Sequence, residues 1–424
     1  MSIVADTTTG RVEGTSRYDG VAEFLGIPYA TAPDGDLRFE APQPHSPWTG
    51  TRSCVEYGAS APQWDQEATI IPESLIDGDS CLNTNVFAPA DASNRGANLP
   101  TLVYIHGGGF ANGCNASPWY HGRSFARDGV VTFAINYRLG VLGFLPIDGA
   151  PNNRGVLDAL AALEWVRDNA AAFGGNPDDV TIAGQSAGGV ICMTLATMPR
   201  AAGLFRRVMP MSGAAHGVRT LEEVIPNSAL VAEQANVAPT KTGFASLSTE
   251  RLIEVQTSFR HPKTGTSAIP YGPLVDGELV PTAPRDAVRA GATAGLDLLA
   301  GATREEVNML PGRGSQELTD SMFRLPAARL AEAHKGAFLY DFAWRSPRLG
   351  ACHCMDVPFV WDVLDARGIR SRAGDSPPQA LADEAHGAVV RFIKTGDPGW
   401  PAFDPDDRKV MVFDTPSAVE VHTL

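Results

Sequence analysis

Gly184-Gln185-Ser186-Ala187-Gly188 lies between two apolar runs, Val180-Thr181-Ile182-Ala183 and Val190-Ile191-Cys192-Met193-Thr194-Leu195. A strand, a G-x-S-x-G turn and a helix in that order make a very tight bend. Side chains beside the serine would clash there, hence the flanking glycines. The bend lifts the serine hydroxyl clear of the sheet and aims a helix N-terminus at the reacting centre. The chemistry this suits is attack on an acyl carbon. The oxyanion formed in such an attack needs N–H donors. His106-Gly107-Gly108-Gly109, after the apolar run Leu102-Val103-Tyr104-Ile105, has the H-G-G-G form of a loop that supplies them.

A serine hydroxyl is a weak nucleophile at neutral pH. It needs a base within hydrogen-bond reach and a third group to orient that base. With the serine on a strand-to-helix bend, the acid and then the histidine are expected downstream, on loops after later strands. Four histidines lie in the last third of the chain. His334 ends a helical segment beside Lys335 and Gly336, His386 falls inside a helical pattern, and His422 is two residues from the end. His353 alone follows a strand pattern (residues 338–342) and a Pro/Gly loop, Ser346-Pro347-Arg348-Leu349-Gly350, so it is the expected base. The acid stays open between three residues. Glu306 and Glu305 follow the strand pattern of residues 296–300, but Thr303-x-x-Glu306 is also a capping box, in which the carboxylate merely bonds back to the cap. Asp276-Gly277, between Leu274-Val275 and Leu279-Val280, reads as a hairpin turn.

These residues need rigid elements beneath them. Residues 102–105, 131–135, 180–183, 207–211, 296–300, 338–342 and 410–413 are brief runs of the kind that buried strands show. Residues 153–173 carry Val156, Leu160, Leu163, Val166 and Ala170 on one helical face, stopped by Gly174-Gly175-Asn176-Pro177. Residues 381–394 read as another helix. Strand and helix in alternation predict an α/β fold with a mostly parallel sheet covered on both faces. Residues 3–5, 11–14 and 22–25 predict an antiparallel start, and Phe87 lies in a further strand. Residues 215–262 are polar and helical without a strong strand signal, which predicts a helical insertion above the sheet. No linker divides the 424 residues, so one domain over residues 1–424 is expected.

Acidic residues outnumber basic ones 48 to 34, for a net charge of −14. That balance suits solubility and disfavours nucleic acid or anionic membranes as partners. No stretch has the apolar length of a membrane helix. Met1-Ser2-Ile3-Val4-Ala5-Asp6 lacks the basic and apolar regions of a signal peptide, so a cytoplasmic location is expected. Cys54, Cys81, Cys114, Cys192, Cys352 and Cys354 are too few for a disulfide scaffold in a chain this long. Cys352-His353-Cys354 lacks zinc spacing and a second ligand pair, so neither metal nor cofactor is expected.

Ordered blocks along nearly the whole chain resemble the type B carboxylesterase family, the cholinesterase-like branch of the α/β-hydrolases, in its bacterial form. Gly26-Ile27-Pro28-Tyr29-Ala30, Leu37-Arg38-Phe39 and Pro47-Trp48-x-Gly50 look like its N-terminal signature. Asn136-Tyr137-Arg138-Leu139-Gly140-Val141-Leu142-Gly143-Phe144 is similar to its most distinctive internal block, and Asn169 to Gly175 leads into the bend as in the family. The resemblance implies hydrolysis of small carboxylic esters through an acyl-enzyme, with water as the second substrate. It favours Glu306 as the acid, because residues 301–307 align with the family's Gly-x-Asn-x-Asp-Glu-Gly loop. Residues 350–359 look like its Gly-x-x-His-x-x-Glu block, in support of His353. It further implies oxyanion donors at the N–H groups of Gly108, Gly109 and Ala187. Ser212 matches a family serine that bonds near the buried acid; a satisfied strand-end hydroxyl is the plain alternative.

The chain also departs from the family. Gln185 stands where many relatives carry Glu, which removes a negative charge and argues against affinity for cationic alcohol groups. Asp79-Ser80-Cys81-Leu82 replaces a Glu-Asp-Cys-Leu block, and the usual disulfide partner of Cys81 falls on Ala61, so a reduced Cys81 is expected. The span from Glu306 to His353 is short, which implies a trimmed helical region and a more open pocket. Phe110, Met309, Leu310 and Met355 are candidate pocket walls, each equally a candidate for core packing. Amidase, carbamate hydrolase or acyltransferase activity would use the same residues. A non-catalytic cholinesterase-like adhesion domain would have lost members of the set Ser186, Glu306 and His353, all of which are present. Monomer and homodimer remain equally compatible with the sequence.

Overall fold

The structure is a computed structural model that describes residues 2–65, 69–214, 217–263, 269, 271–309 and 314–422. Its strands, in chain order, are β1 Ser2–Thr7, β2 Gly10–Thr15, β3 Val21–Pro28, β4 Thr51–Ser53, β5 Asn83–Pro89, β6 Leu99–Ile105, β7 Val131–Ile135, β8 Gly175–Gln185, β9 Arg207–Met211, β10 Arg219–Thr220, β11 Leu274–Val275, β12 Asp297–Thr303, β13 Phe338–Phe342, β14 Lys409–Phe413 and β15 Ala418–Val421. Among the described residues, thirteen of them form one sheet in the order β1-β2-β3-β5-β7-β6-β8-β9-β12-β13-β14-β15, with β4 beside β2. From β1 to β7 the pairings along this order are antiparallel. From β7 through β6, β8, β9, β12 and β13 to β14 they are parallel, and β15 closes the far edge antiparallel. The mostly parallel α/β architecture and the antiparallel start are those expected.

Parallel strands buried on both faces are predominantly apolar, and a charged residue buried among them must be paired. β7 and β9 are buried at every position. On β6, alternate side chains serve different cores, as the two-residue strand period requires. Val103 and Ile105 join the cluster that holds Val156, Leu160 and Leu163 of the helix Arg154–Asn169. Leu102 and Tyr104 join the cluster of Leu381, Val389 and Phe392 from the helix Gln379–Thr395. The sheet is thus covered on both sides.

Several elements differ from expectation. Gly174 ends the helical run, but the strand does not wait for Val180. Gly175 already pairs with Leu99, and a register shift between Leu99 and Thr101 absorbs the irregular start. β12 runs to Thr303 because residues 301–303 keep pairing with β13. β4 and the exposed β15, three and four residues long, are too short for patterning to find. Within the region read as an insertion stand the helices Leu221–Ala235, Lys241–Ala245 and Thr249–Ser258, each capped by a Thr or Ser side chain. It also holds β10, which pairs in parallel with β11. Leu274-Val275 therefore finds its partner in β10, and the expected hairpin at Asp276-Gly277 does not form. The Asp276 carboxylate caps its own turn instead. Oδ1 accepts from the N–H groups of Glu278 (3.1 Å) and Val280 (2.9 Å), and Oδ2 accepts from Asn153 Nδ2 (2.8 Å). That commitment removes Asp276 from the acid candidates. Among the described residues, no helix is long and apolar enough to cross a membrane.

Candidate active site

The parallel strands β6, β8, β9, β12 and β13 end on one edge of the sheet. In parallel sheets, ligands bind beyond the carboxyl ends of the strands. β6 leads into His106-Gly107-Gly108-Gly109, β8 into Ser186, β9 into Ser212, β12 into Glu306, and β13 into the loop that carries His353. Neighbouring registers, Ile105 with Gly184 and Gln185 with Met211, bring the first three together.

Ser186 sits at φ +56°, ψ −122°, a strained conformation for a residue with a side chain. Its N–H donates to the Met211 carbonyl (2.8 Å), and its carbonyl accepts from Val190 N–H (3.1 Å). A Cβ at Gly184 would press on the Gly188 backbone, and one at Gly188 would press on the Ile105 carbonyl. Both glycines are therefore forced by close approach. Gly108 and Gly109 adopt φ of +110° and +62°. Among the described residues, the N–H groups of Gly108, Gly109 and Ala187, the last at the start of the helix Ala187–Thr197, have no acceptor.

Glu306 is buried, and both of its carboxylate oxygens are engaged. Oε1 accepts from Ser212 Oγ (2.6 Å) and from Thr303 N–H (2.8 Å), while Oε2 pairs with His353 Nδ1. Half of the capping box thus forms, since Glu306 does bond back to Thr303. The Thr303 hydroxyl, which would complete the box, has no partner. Ser212 makes the bond to the acid that the resemblance implied. The His353 backbone N–H donates to the Glu306 carbonyl (3.0 Å), which ties the two loops together. Glu305 faces away: Oε1 pairs with the exposed Arg345 (2.6 Å) and Oε2 accepts from Ala351 N–H (2.9 Å).

Burial opposes charge on the His353 ring, whereas the Cys354 sulfur and the Glu306 carboxylate favour it; the balance holds the ring well above the ordinary imidazole range. Burial also pushes the Cys354 thiol up. His353 Nε2 lies 3.1 Å from Gln185 Nε2, and no hydrogen bond joins it to the half-buried Ser186 hydroxyl.

The three other histidines of the last third have structural partners. His334 Nδ1 meets Thr293 Oγ1 (2.9 Å), His386 bonds the Val360 carbonyl and Asp128, and His422 donates its backbone N–H to the Arg408 carbonyl. Cys81 is a free, buried thiol. Phe110 packs on Phe144, with ring centroids 5.0 Å apart. Met355 is fully buried in the second hydrophobic cluster, so it is core and not pocket wall. Leu310 and the Met309 side chain lie outside the described residues. Sequence reading missed Phe323, whose ring lies 5.1 Å from that of His353, on the π-helix Asp320–Arg324. A π-turn leaves no residue signature, so nothing pointed to it.

Residues 1–314 match the model of the Carboxylesterase family. The chain belongs to that family. It is 32% identical to the para-nitrobenzyl esterase of Bacillus subtilis (strain 168), over 98% of this chain and 96% of that protein. It is 31% identical to the Phenmedipham hydrolase of Pseudarthrobacter oxydans, over 96% and 94%. A solved PNB esterase superposes on this esterase with a TM-score of 0.90 at 28% identity, over 99% and 97% of the two chains. A carboxylesterase from Geobacillus stearothermophilus does so at 0.87 and 32% identity, over 98% and 97%. The fold is therefore that of the α/β-hydrolases, and this carboxylesterase is a carboxylic ester hydrolase.

Proposed function

We propose that the protein hydrolyses carboxylic esters through an acyl-enzyme on Ser186, with His353 as base and Glu306 as the acid that orients it. The observation that carries this reading is the buried Glu306 carboxylate, held by Ser212 and Thr303 and bonded to His353 Nδ1 beside the bend that bears Ser186. His353 takes the Ser186 proton as Oγ attacks the carbonyl carbon. The N–H groups of Gly108, Gly109 and Ala187 receive the oxyanion. The ring then gives its proton to the leaving alcohol, and water repeats the cycle on the acyl group. No hydrogen bond joins Ser186 to His353 in this structure; such bonds often tighten only with substrate in place. Para-nitrobenzyl esters, from the name of the Bacillus subtilis relative, are the first substrates to try.

Ser186→Ala is the decisive experiment. Ester hydrolysis falls on the order of 10⁴-fold or more, and covalent labelling by a serine-directed phosphonate disappears, with the thermal midpoint unchanged. Labelling retained at another residue overturns the assignment.

A further inference from the structure

The base has one nitrogen free to accept a proton, and its neighbour is Gln185. Gln185 Nε2 stands 3.1 Å from His353 Nε2, and Gln185 is 1% exposed. His353 Nδ1 is committed to Glu306. A neutral ring therefore keeps its proton on Nδ1 and turns a lone pair towards Gln185. An amide N–H donates to that lone pair, whereas a charged ring would set N–H against N–H.

The other groups that face the ring do not help the neutral form. Glu306 favours the charged form. Cys354 is kept a neutral thiol by burial. Asp356, buried and bonded by Tyr340 OH (2.8 Å), is pushed up to about 6 by burial and by the Glu306 carboxylate. Phe323 carries no charge. Glu306 therefore biases the ring towards its charged form, in which Ser186 has no base.

Given the roles of Ser186, His353 and Glu306 proposed above, we propose that Gln185 is a positioning residue that offsets Glu306: its amide bond to His353 Nε2 keeps the ring uncharged and ready for the Ser186 proton. Attack is then an exchange of donors. The Ser186 O–H replaces the amide N–H at Nε2. Its proton passes to Nε2 as the Oγ–carbon bond forms, and the carbonyl π pair moves to the oxyanion. When Nε2 protonates the alcohol oxygen, the carbon–oxygen bond breaks and the amide returns to the vacated lone pair.

The test is the pH dependence of kcat/KM for p-nitrophenyl acetate in the full chain, as wild type, Gln185→Met and Gln185→Glu. Phosphonate labelling counts the active sites in each. kcat/KM reports ionisations of the free enzyme, and activity requires the neutral ring. Loss of a bond to the neutral form raises the pKa, so the acidic limb moves to higher pH. The expected move is about half to one pH unit in Gln185→Met. It is about one to two units in Gln185→Glu, where a carboxylate also stabilises the charged ring. A limb in Gln185→Met that stays put or moves down overturns the proposal. The near-isosteric Gln185→Glu guards against a packing artefact, and a limb at or below the wild-type position there overturns it equally. Hydrolysis retained by Ser186→Ala overturns the triad assignment and this proposal with it. A wild type labelled only at Ser186, with the limbs out of order, overturns the role of Gln185 alone.

Discussion

Arg138–Asp158 and His353–Glu306 are both buried pairs of acid and base, built to opposite ends. Asp158 accepts from Arg138 Nε (2.8 Å), Nη2 (2.6 Å) and backbone N–H (3.0 Å), and Arg138 Nη1 donates to the Glu40 carbonyl (2.7 Å). Arg154 nearby in the chain spends its guanidinium on the carbonyls of Val141, Leu142, Leu145 and Pro151. All of these donors are matched, and a guanidinium does not give up its proton. That pair can only hold loops in place. In the other pair the acid is just as satisfied, but the outer nitrogen of the base is held by a single exchangeable amide bond beside a half-buried hydroxyl. Burial of an acid–base pair does not by itself mark a reactive site; under the proposed mechanism, the one replaceable contact on its titrating member does.

The sharpest way to break this contrast is to remove one carboxylate charge from each pair. Glu306→Gln keeps the shape but presents the ring with an amide. The expected result is a fall in kcat of roughly 10³–10⁴-fold, with KM and the thermal midpoint little changed. Asp158→Asn does the reverse. It strands the Arg138 charge in the interior and costs about 3–5 kcal/mol of stability, read as a lower urea midpoint. Turnover per folded molecule stays near wild type. A catalytic loss without a stability loss in Asp158→Asn, or the converse in Glu306→Gln, would erase the distinction.

What the sequence made legible follows the same division. Val131–Ile135, Arg207–Met211 and Phe338–Phe342 were readable to the residue, because strands buried on both faces are predominantly apolar, with Arg207 and Asp341 buried only as ion-paired exceptions. The bend that bears Ser186 and the loop that bears His353 were readable because glycines forced by backbone contact and a loop after a late strand leave marks in the chain. Glu306 against Glu305 was not readable from pattern. The choice depends on where β12 stops and on Arg345, distant in sequence, drawing Glu305 outward. The bond between Gln185 and His353 was equally hidden, since it joins residues 168 apart. Exposed β15 and the two-residue β10 and β11 are too short to register as strands, although β11 and most of β15 are apolar.

The smallest expected effects sharpen the choice between the adjacent glutamates. Ser212 Oγ donates one of the two bonds that fix Glu306 Oε1; the Thr303 N–H donates the other and cannot be deleted by a side-chain change. A hydrogen bond to a charged group is worth about 1.5–3 kcal/mol, but the remaining donor keeps the carboxylate close to its orientation. Ser212→Ala is therefore expected to lower kcat only about tenfold, near the bottom of that range, with KM unchanged. Glu305→Gln removes an ion pair whose partner, Arg345, is 69% exposed, so screening leaves it little energetic weight. Its kcat is expected within about twofold of wild type, as for loss of a surface pair. Steady-state rates on one p-nitrophenyl ester, with active sites counted by phosphonate, compare the two directly. A Glu305→Gln enzyme slower than Ser212→Ala would mean that the carboxylate steering the ring sits one residue earlier, and that the bond between Glu306 and His353 merely braces the loop.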